Sequence, residues 1–115
     1  MYEVLLTDHA KKNLAELKRF GKKTLRQLHS LLADLRNDPY GMTQPLHAPL
    51  KAYRSLHCGR FRVVIKIVDS QVKIVYVMAI GWHESGSRDD IYQSLQRAIH
   101  MGIIKIPAAD REAKP

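Results

Sequence analysis

The stretch Tyr53-Arg54-Ser55-Leu56-His57-Cys58-Gly59-Arg60-Phe61-Arg62-Val63-Val64-Ile65-Lys66-Ile67-Val68 decides the fold. Tyr53 to Cys58 predicts a strand and Gly59 a turn. From Phe61 to Val68, Phe61, Val63, Ile65 and Ile67 alternate with Arg62, Val64, Lys66 and Val68, the period of two that puts alternate side chains on opposite faces of a sheet. Asp69-Ser70 makes a short link to a third strand, Val72 to Ile80, whose apolar run marks it as central. Strands joined by tight turns pair as antiparallel neighbours.

Upstream the period changes. Tyr2 to Leu6 reads as a short strand entering the core. Thr7 or Asp8 can cap a helix carrying Ala10, Leu14 and Leu17 on one face. Gly21 interrupts it. Lys22 to Arg36 follows with Leu25, Leu28, Leu32 and Leu35 at helical spacing and Leu31 widening the stripe, until Asn37-Asp38-Pro39 stops it. Two amphipathic helices joined by a glycine turn predict a helical hairpin. Residues 40–50, with Gly41, Pro45 and Pro49, read as a loop.

Downstream, Gly81 is expected to end the third strand and Trp82 to Gly86 to form a polar loop. Ser87 is expected to cap a last helix, with Asp90 completing a short capping box and Ile91, Leu95, Ala98 and Ile99 facing the core. The class is α+β. An N-terminal strand and a helical hairpin pack on a mainly antiparallel four-stranded sheet, followed by a C-terminal helix. The sheet's second face is expected to be free for a site. Residues 1–100 form one domain and 101–115 a tail, disordered beyond Pro107.

Charge gives the first functional indication. The 115 residues carry 19 Lys and Arg against 11 Asp and Glu, a net charge of +8. A pI near 9.8 suits a nucleic acid, an acidic protein or an anionic membrane surface equally. The distribution is more telling. Pro39 through Val68 has no acidic residue but holds Lys51, Arg54, Arg60, Arg62 and Lys66, with His47 and His57, which reads as a phosphate-binding surface. The single cysteine, Cys58, fits a reducing cytoplasm, and no apolar run approaches the length of a membrane span.

The order Tyr53-Arg54, Gly59 turn, Phe61-Arg62, hydrophobic strand, then Ile80-Gly81 and Asp90-Ile91-Tyr92, resembles the RelE/ParE toxin superfamily from Tyr2 to about Ile99. The resemblance implies a RelE-like fold and a toxin of a type II toxin–antitoxin system. Many such toxins cleave mRNA in the ribosomal A site, without a metal or other cofactor. The ParE branch instead poisons DNA gyrase without nuclease chemistry. Both are silenced by a cognate antitoxin, here expected to be acidic and to cover Arg62. This chain has Tyr53 and Ser55 where some nuclease members carry lysines, and its loop from Trp82 to Ser87 is longer than usual.

A metal-free ribonuclease needs a base for the 2′-hydroxyl proton, cations for the phosphorane and an acid for the departing 5′ oxygen. Arg62, on the strand face opposite Phe61, matches the second motif arginine and can grip two phosphate oxygens. Arg54 matches the first, as substrate contact or structural support. His83, after the central strand, can act as acid or base near neutrality, with His57 as a weaker substitute. Tyr92 matches the terminal tyrosine, which activates the nucleophile, stacks on a base or simply packs. Lys51, Arg60, Lys66 and Arg88 are expected to contact the RNA backbone. The sequence has no G-x-x-x-x-G-K or G-x-G-x-x-G loop, and the adjacent Asp89 and Asp90 do not suit a two-metal nuclease. Cys58 and His57 lack the further ligands of a zinc site.

Overall fold

A computed structural model describes residues 1–83 and 90–102. The chain runs β1 (Glu3–Leu6), α1 (Asp8–Glu16), a 3-10 turn (Leu17–Phe20), α2 (Lys22–Asp34), α3 (Pro39–Met42), β2 (Gln44–Pro45), β3 (Arg54–Cys58), β4 (Phe61–Asp69), β5 (Lys73–Trp82) and α4 (Ile91–His100). The strands form one sheet in the order β1-β5-β4-β3-β2. Among the described strands only the β1–β5 pairing is parallel.

The leucine stripes explain the first layer. Ala10 and Leu17 from the first helical segment and Leu28, Leu32 and Leu35 from the second bury against Leu56, Phe61, Val63, Ile65, Val75, Val77 and Ile80. Each large apolar side chain among them stabilises the fold by about 1.5–3 kcal/mol relative to exposure. Thr7 caps α1 by accepting from the Ala10 amide at 3.1 Å. Its hydroxyl also reaches the carbonyls of Val77 and Met78, tying the helix start to β5.

The second face is not free, contrary to expectation. The α4 stripe, Ile91 and Leu95, buries with Leu50, Val64, Val68, Tyr76, Met78 and Ala79, because an amphipathic helix next to an apolar sheet face has nowhere better to hide its stripe. A β-bulge adjusts the contact. Val64 pairs with Ala79 but Ile65 with Val77, so Met78 is unpaired and both Met78 and Ala79 face α4. Beyond the bulge Gly81 meets α4, where a Cβ would lie only 2.9 Å from Ile91 Cδ1. Glycine there lets the first residue of α4 rest directly on β5.

Three further details differ from the sequence reading. The sheet has five strands, since Gln44–Pro45 adds a two-residue edge where a proline costs no ladder bond. Residues 39–42 form a helical turn capped by Asp38. β5 runs on through Gly81 to Trp82, which pairs with Phe61. Among the described residues no helix is long and apolar enough to cross a membrane. The predicted Ser87 cap and the tail beyond Gly102 lie outside the described residues.

Candidate functional site

The exposed end of the sheet, at the β3–β4 turn, collects most of the expected chemistry. Gly59, with φ of +60°, makes the turn. It sets His57 directly opposite Arg62 on the α4 side of the sheet. β5 then delivers His83, whose backbone amide donates to the Arg60 carbonyl at 3.1 Å. Partial desolvation, followed by the nearby charge of Arg62, pushes the His57 imidazole below its ordinary range. His57 is therefore neutral at physiological pH.

Arg62 folds over the turn. Its Nη1 donates to the carbonyls of Gly59 at 2.8 Å and Phe61 at 2.9 Å. Nε and Nη2 make no hydrogen bond to a described protein group. A guanidinium held on one nitrogen and open on the other edge is oriented to receive an anion.

His83 is held more firmly. Its Nδ1 lies 2.6 Å from Oδ1 of Asp90, a buried carboxylate. The other oxygen of Asp90 caps α4, accepting from the amides of Tyr92 at 3.0 Å and Gln93 at 3.4 Å. A carboxylate is an acceptor, so Nδ1 carries the proton and Nε2 of the neutral ring is left as the acceptor. The Tyr92 ring meets the imidazole edge-on at 5.0 Å between centroids. Its hydroxyl shares a 2.8 Å hydrogen bond with Ser55, a buried serine of β3. The imidazole is thus fixed by Asp90, and its neighbouring ring by Ser55.

Arg54 stands apart from this group, so of its two expected roles, substrate contact or structural support, the structure places it for support and away from Arg62. Alternation places it on the hairpin face of β3, opposite His57 and Ser55. Its Nε donates to Thr43 Oγ1 at 2.8 Å and its Nη2 to the carbonyls of Thr43 at 2.9 Å and Tyr40 at 3.2 Å, with the guanidinium over the Tyr40 ring. Its role is to pin α3 and β2 to the sheet. Lys51 precedes β3, at the end of that strand away from His57. Lys66 lies four residues along β4 from Arg62, about 13 Å at strand rise. Arg60 remains adjacent, with its guanidinium over the Trp82 ring. Arg88 is outside the described residues.

Sequence reasoning missed two members of the site. It takes Asp90 only as a capping-box partner of Ser87, yet Asp90 is itself the cap of α4 and the partner of His83. An aspartate immediately before Ile91-Tyr92 was the available signal. Ser55 stood out in the sequence only as a departure from the lysine of some nuclease members. Cys58 is buried, which pushes its thiol up and makes it a poor nucleophile. Among the described residues no group of three or more His, Cys, Asp or Glu could hold a metal ion.

The fold agrees with known relatives. The family model for the ParE toxin of the type II toxin–antitoxin system parDE matches residues 4–85, and the chain belongs to that family, within the RelE/ParE superfamily. No curated protein matches. Among solved structures, the chain resembles one from the Mycobacterium tuberculosis RelBE2 toxin–antitoxin complex, with 23% identity and a TM-score of 0.63 over 71% of this chain and 98% of that one. It also resembles a YoeB/ParE toxin from Agrobacterium tumefaciens, at 16% identity and a TM-score of 0.61 over 71% and 99%. A point mutant of YafQ from E. coli aligns at 18% identity and a TM-score of 0.58 over 71% and 93%. The protein is a toxin of a type II toxin–antitoxin system with the RelE-like α+β fold.

Proposed function

We propose that this toxin is a metal-independent endoribonuclease that cleaves mRNA on the ribosome, with His83 as general base and Arg62 as phosphate clamp. The observation that carries the reading is the His83–Asp90 hydrogen bond of 2.6 Å, which leaves Nε2 as an acceptor at the same sheet end as Arg62. A toxin acting purely by docking on another protein has no need of a fixed imidazole tautomer.

In the cleavage step His83 Nε2 takes the proton of the 2′-hydroxyl, and that oxygen attacks the adjacent phosphorus. The open edge of Arg62 stabilises the charge growing on the phosphorane. The bond to the 5′ oxygen breaks, and that oxygen takes a proton from solvent. The products are a 2′,3′-cyclic phosphate and a 5′-hydroxyl. Tyr92 walls the site and steadies the imidazole, and neutral His57 can hydrogen-bond the ribose. Arg60 contributes positive charge at the rim. No metal or cofactor is required by this chemistry. The partner is a cognate acidic antitoxin that covers Arg62, consistent with the basic composition and with the solved complexes of RelBE2, YoeB–YefM and DinJ–YafQ. The protein acts in the cytoplasm.

The family match to parDE toxins favours a second reading, a gyrase inhibitor without nuclease chemistry. Expression of wild type and Arg62→Ala, with mapping of mRNA 5′ ends, growth and plasmid supercoiling, separates the two. Growth arrest with new mRNA cuts that vanish in Arg62→Ala supports the nuclease. Arrest with intact mRNA and altered supercoiling supports the gyrase reading and removes His83 from any catalytic role.

A further inference from the structure

A cleft of about 520 Å³ opens beside β5, between the first helical segment and α4. It begins one residue from each partner of the His83–Asp90 pair, since Trp82 and Ile91 line it. One wall is aromatic: Phe20 stacks on Trp82 at 5.9 Å, and Phe61 packs edge-on against both. Phe20 lines the cleft and is 44% exposed, unusual for a phenylalanine inside such a cluster. The Arg19 guanidinium lies over it at 5.2 Å.

The part of the lining that α1 supplies is polar, and its polarity is directional. Asn13 and Glu16 stand three residues apart on α1, the spacing that puts both on one helical face. The Asn13 carbonyl oxygen accepts from the Ile80 amide at 3.0 Å, which fixes the side-chain amide and leaves its NH2 as a donor. Glu16, exposed at the cleft, makes no ion pair with a described residue and offers two acceptor oxygens. A donor next to a bidentate acceptor is the complement of the Watson–Crick edge of guanine, which presents O6 beside N1–H and N2–H2. Adenine presents a different order and leaves the carboxylate without its two donors.

We propose that this cleft is a guanine-binding subsite that selects the nucleotide flanking the cut, the base stacking on Phe20 while Glu16 and Asn13 read its edge. The inference rests on the ribonuclease reading for its biological purpose, but the pocket chemistry stands on its own residues. An apolar antitoxin segment fits less well, because inserting it would take the polar Asn13 and charged Glu16 lining out of water with no hydrogen bond in return.

Trp82 is the sole tryptophan, so its fluorescence reports on this cleft. Titration of the full-length protein with guanosine, inosine and adenosine monophosphates is the test. Guanosine monophosphate should perturb the emission in a saturable way. Inosine monophosphate, lacking the N2 amine, and adenosine monophosphate should bind at least about tenfold more weakly, the loss expected for a hydrogen bond to a charged group. Glu16→Gln should abolish the discrimination, and Phe20→Leu should weaken all three. In cells, wild-type cuts should share a guanine at one fixed position, and Glu16→Gln should cut without that preference. Equal binding of the three nucleotides, no binding, or unchanged cut preference in Glu16→Gln overturns the subsite while leaving cleavage itself intact. Loss of antitoxin binding in Phe20→Leu with no nucleotide response assigns the cleft to the antitoxin and also overturns it. Selective guanine binding in a protein that cuts no RNA would sustain the subsite and refute the ribonuclease reading.

Discussion

Asp90 couples a helix to a histidine: one carboxylate oxygen lies 2.6 Å from His83 Nδ1 while the other accepts the Tyr92 amide at 3.0 Å and starts α4. The two duties can be separated by substitution. Asparagine caps a helix about as well as aspartate, whereas alanine costs about 1 kcal/mol. Asp90→Asn should therefore hold the melting temperature near wild type yet reduce RNA cleavage by about 10²-fold or more, the range of general-base loss. Asp90→Ala should lose both. Thermal melts beside cleavage rates decide the matter, and a fully active Asp90→Asn would count against the dyad.

Tyr92 and Ser55 form a second pair that tests structure rather than catalysis. Tyr92→Phe removes the hydroxyl and leaves the buried Ser55 unsatisfied, costing about 1–3 kcal/mol. Adding Ser55→Ala should recover much of that loss. Denaturant unfolding of the two single variants and the double variant measures the coupling. Simple additivity would mean that the hydrogen bond contributes nothing.

The motif arginines should fail in different ways. Arg54→Ala removes the clamp on Thr43 and Tyr40 and should destabilise by about 1–3 kcal/mol. Its toxicity should fall only as its abundance falls. Arg62→Ala, which among the described residues loses bonds only to its own turn, should change stability by about 0.5 kcal/mol or less and suppress activity at full abundance. Quantitative immunoblots beside growth curves distinguish these outcomes.

Titration offers two checks. His57 has a folded-state pKa below its ordinary 6.5, so its neutral form favours the native state. The stability it contributes is complete above pH 6.5 and is lost as pH falls through the lowered value. Arg62→Ala should move that imidazole back upward by NMR, and no movement would show that Arg62 lies too far away to matter. Tyr2 is pushed up to about 12, chiefly by its hydrogen bond to Asp69 at 2.7 Å. Its contribution is intact below pH 10.0 and lost as pH rises toward 12. Ultraviolet titration of Tyr2→Phe should lack this late step.

Much of the fold was legible because its periods are clean. The leucines of α2 mark one buried face, and the alternation from Phe61 to Val68 sorts Phe61, Val63 and Ile65 to the hairpin side and Val64 and Val68 to the α4 side, as the structure does. The edge strand β2 was not legible, since two residues ending in proline carry no period. Trp82 reads as loop because Gly81 resembles a strand end, whereas that glycine answers the close approach of Ile91. At the site, Arg62, His57, His83 and Tyr92 can be named from residue type and order, and the structure gathers them at one end of the sheet. Their supports, Asp90 and Ser55, depend on contacts across 7 and 37 residues that no local pattern encodes. Sequence proximity groups Arg54 with Arg62, but strand alternation sends it to the other face.

The most direct test is the end chemistry of RNA from cells arrested by wild type and by His83→Gln. The account predicts new cuts bearing 2′,3′-cyclic phosphates and 5′-hydroxyls in wild type, and none in His83→Gln at equal protein abundance. Intact mRNA during arrest, 5′-phosphate ends, or undiminished cutting by His83→Gln would contradict it.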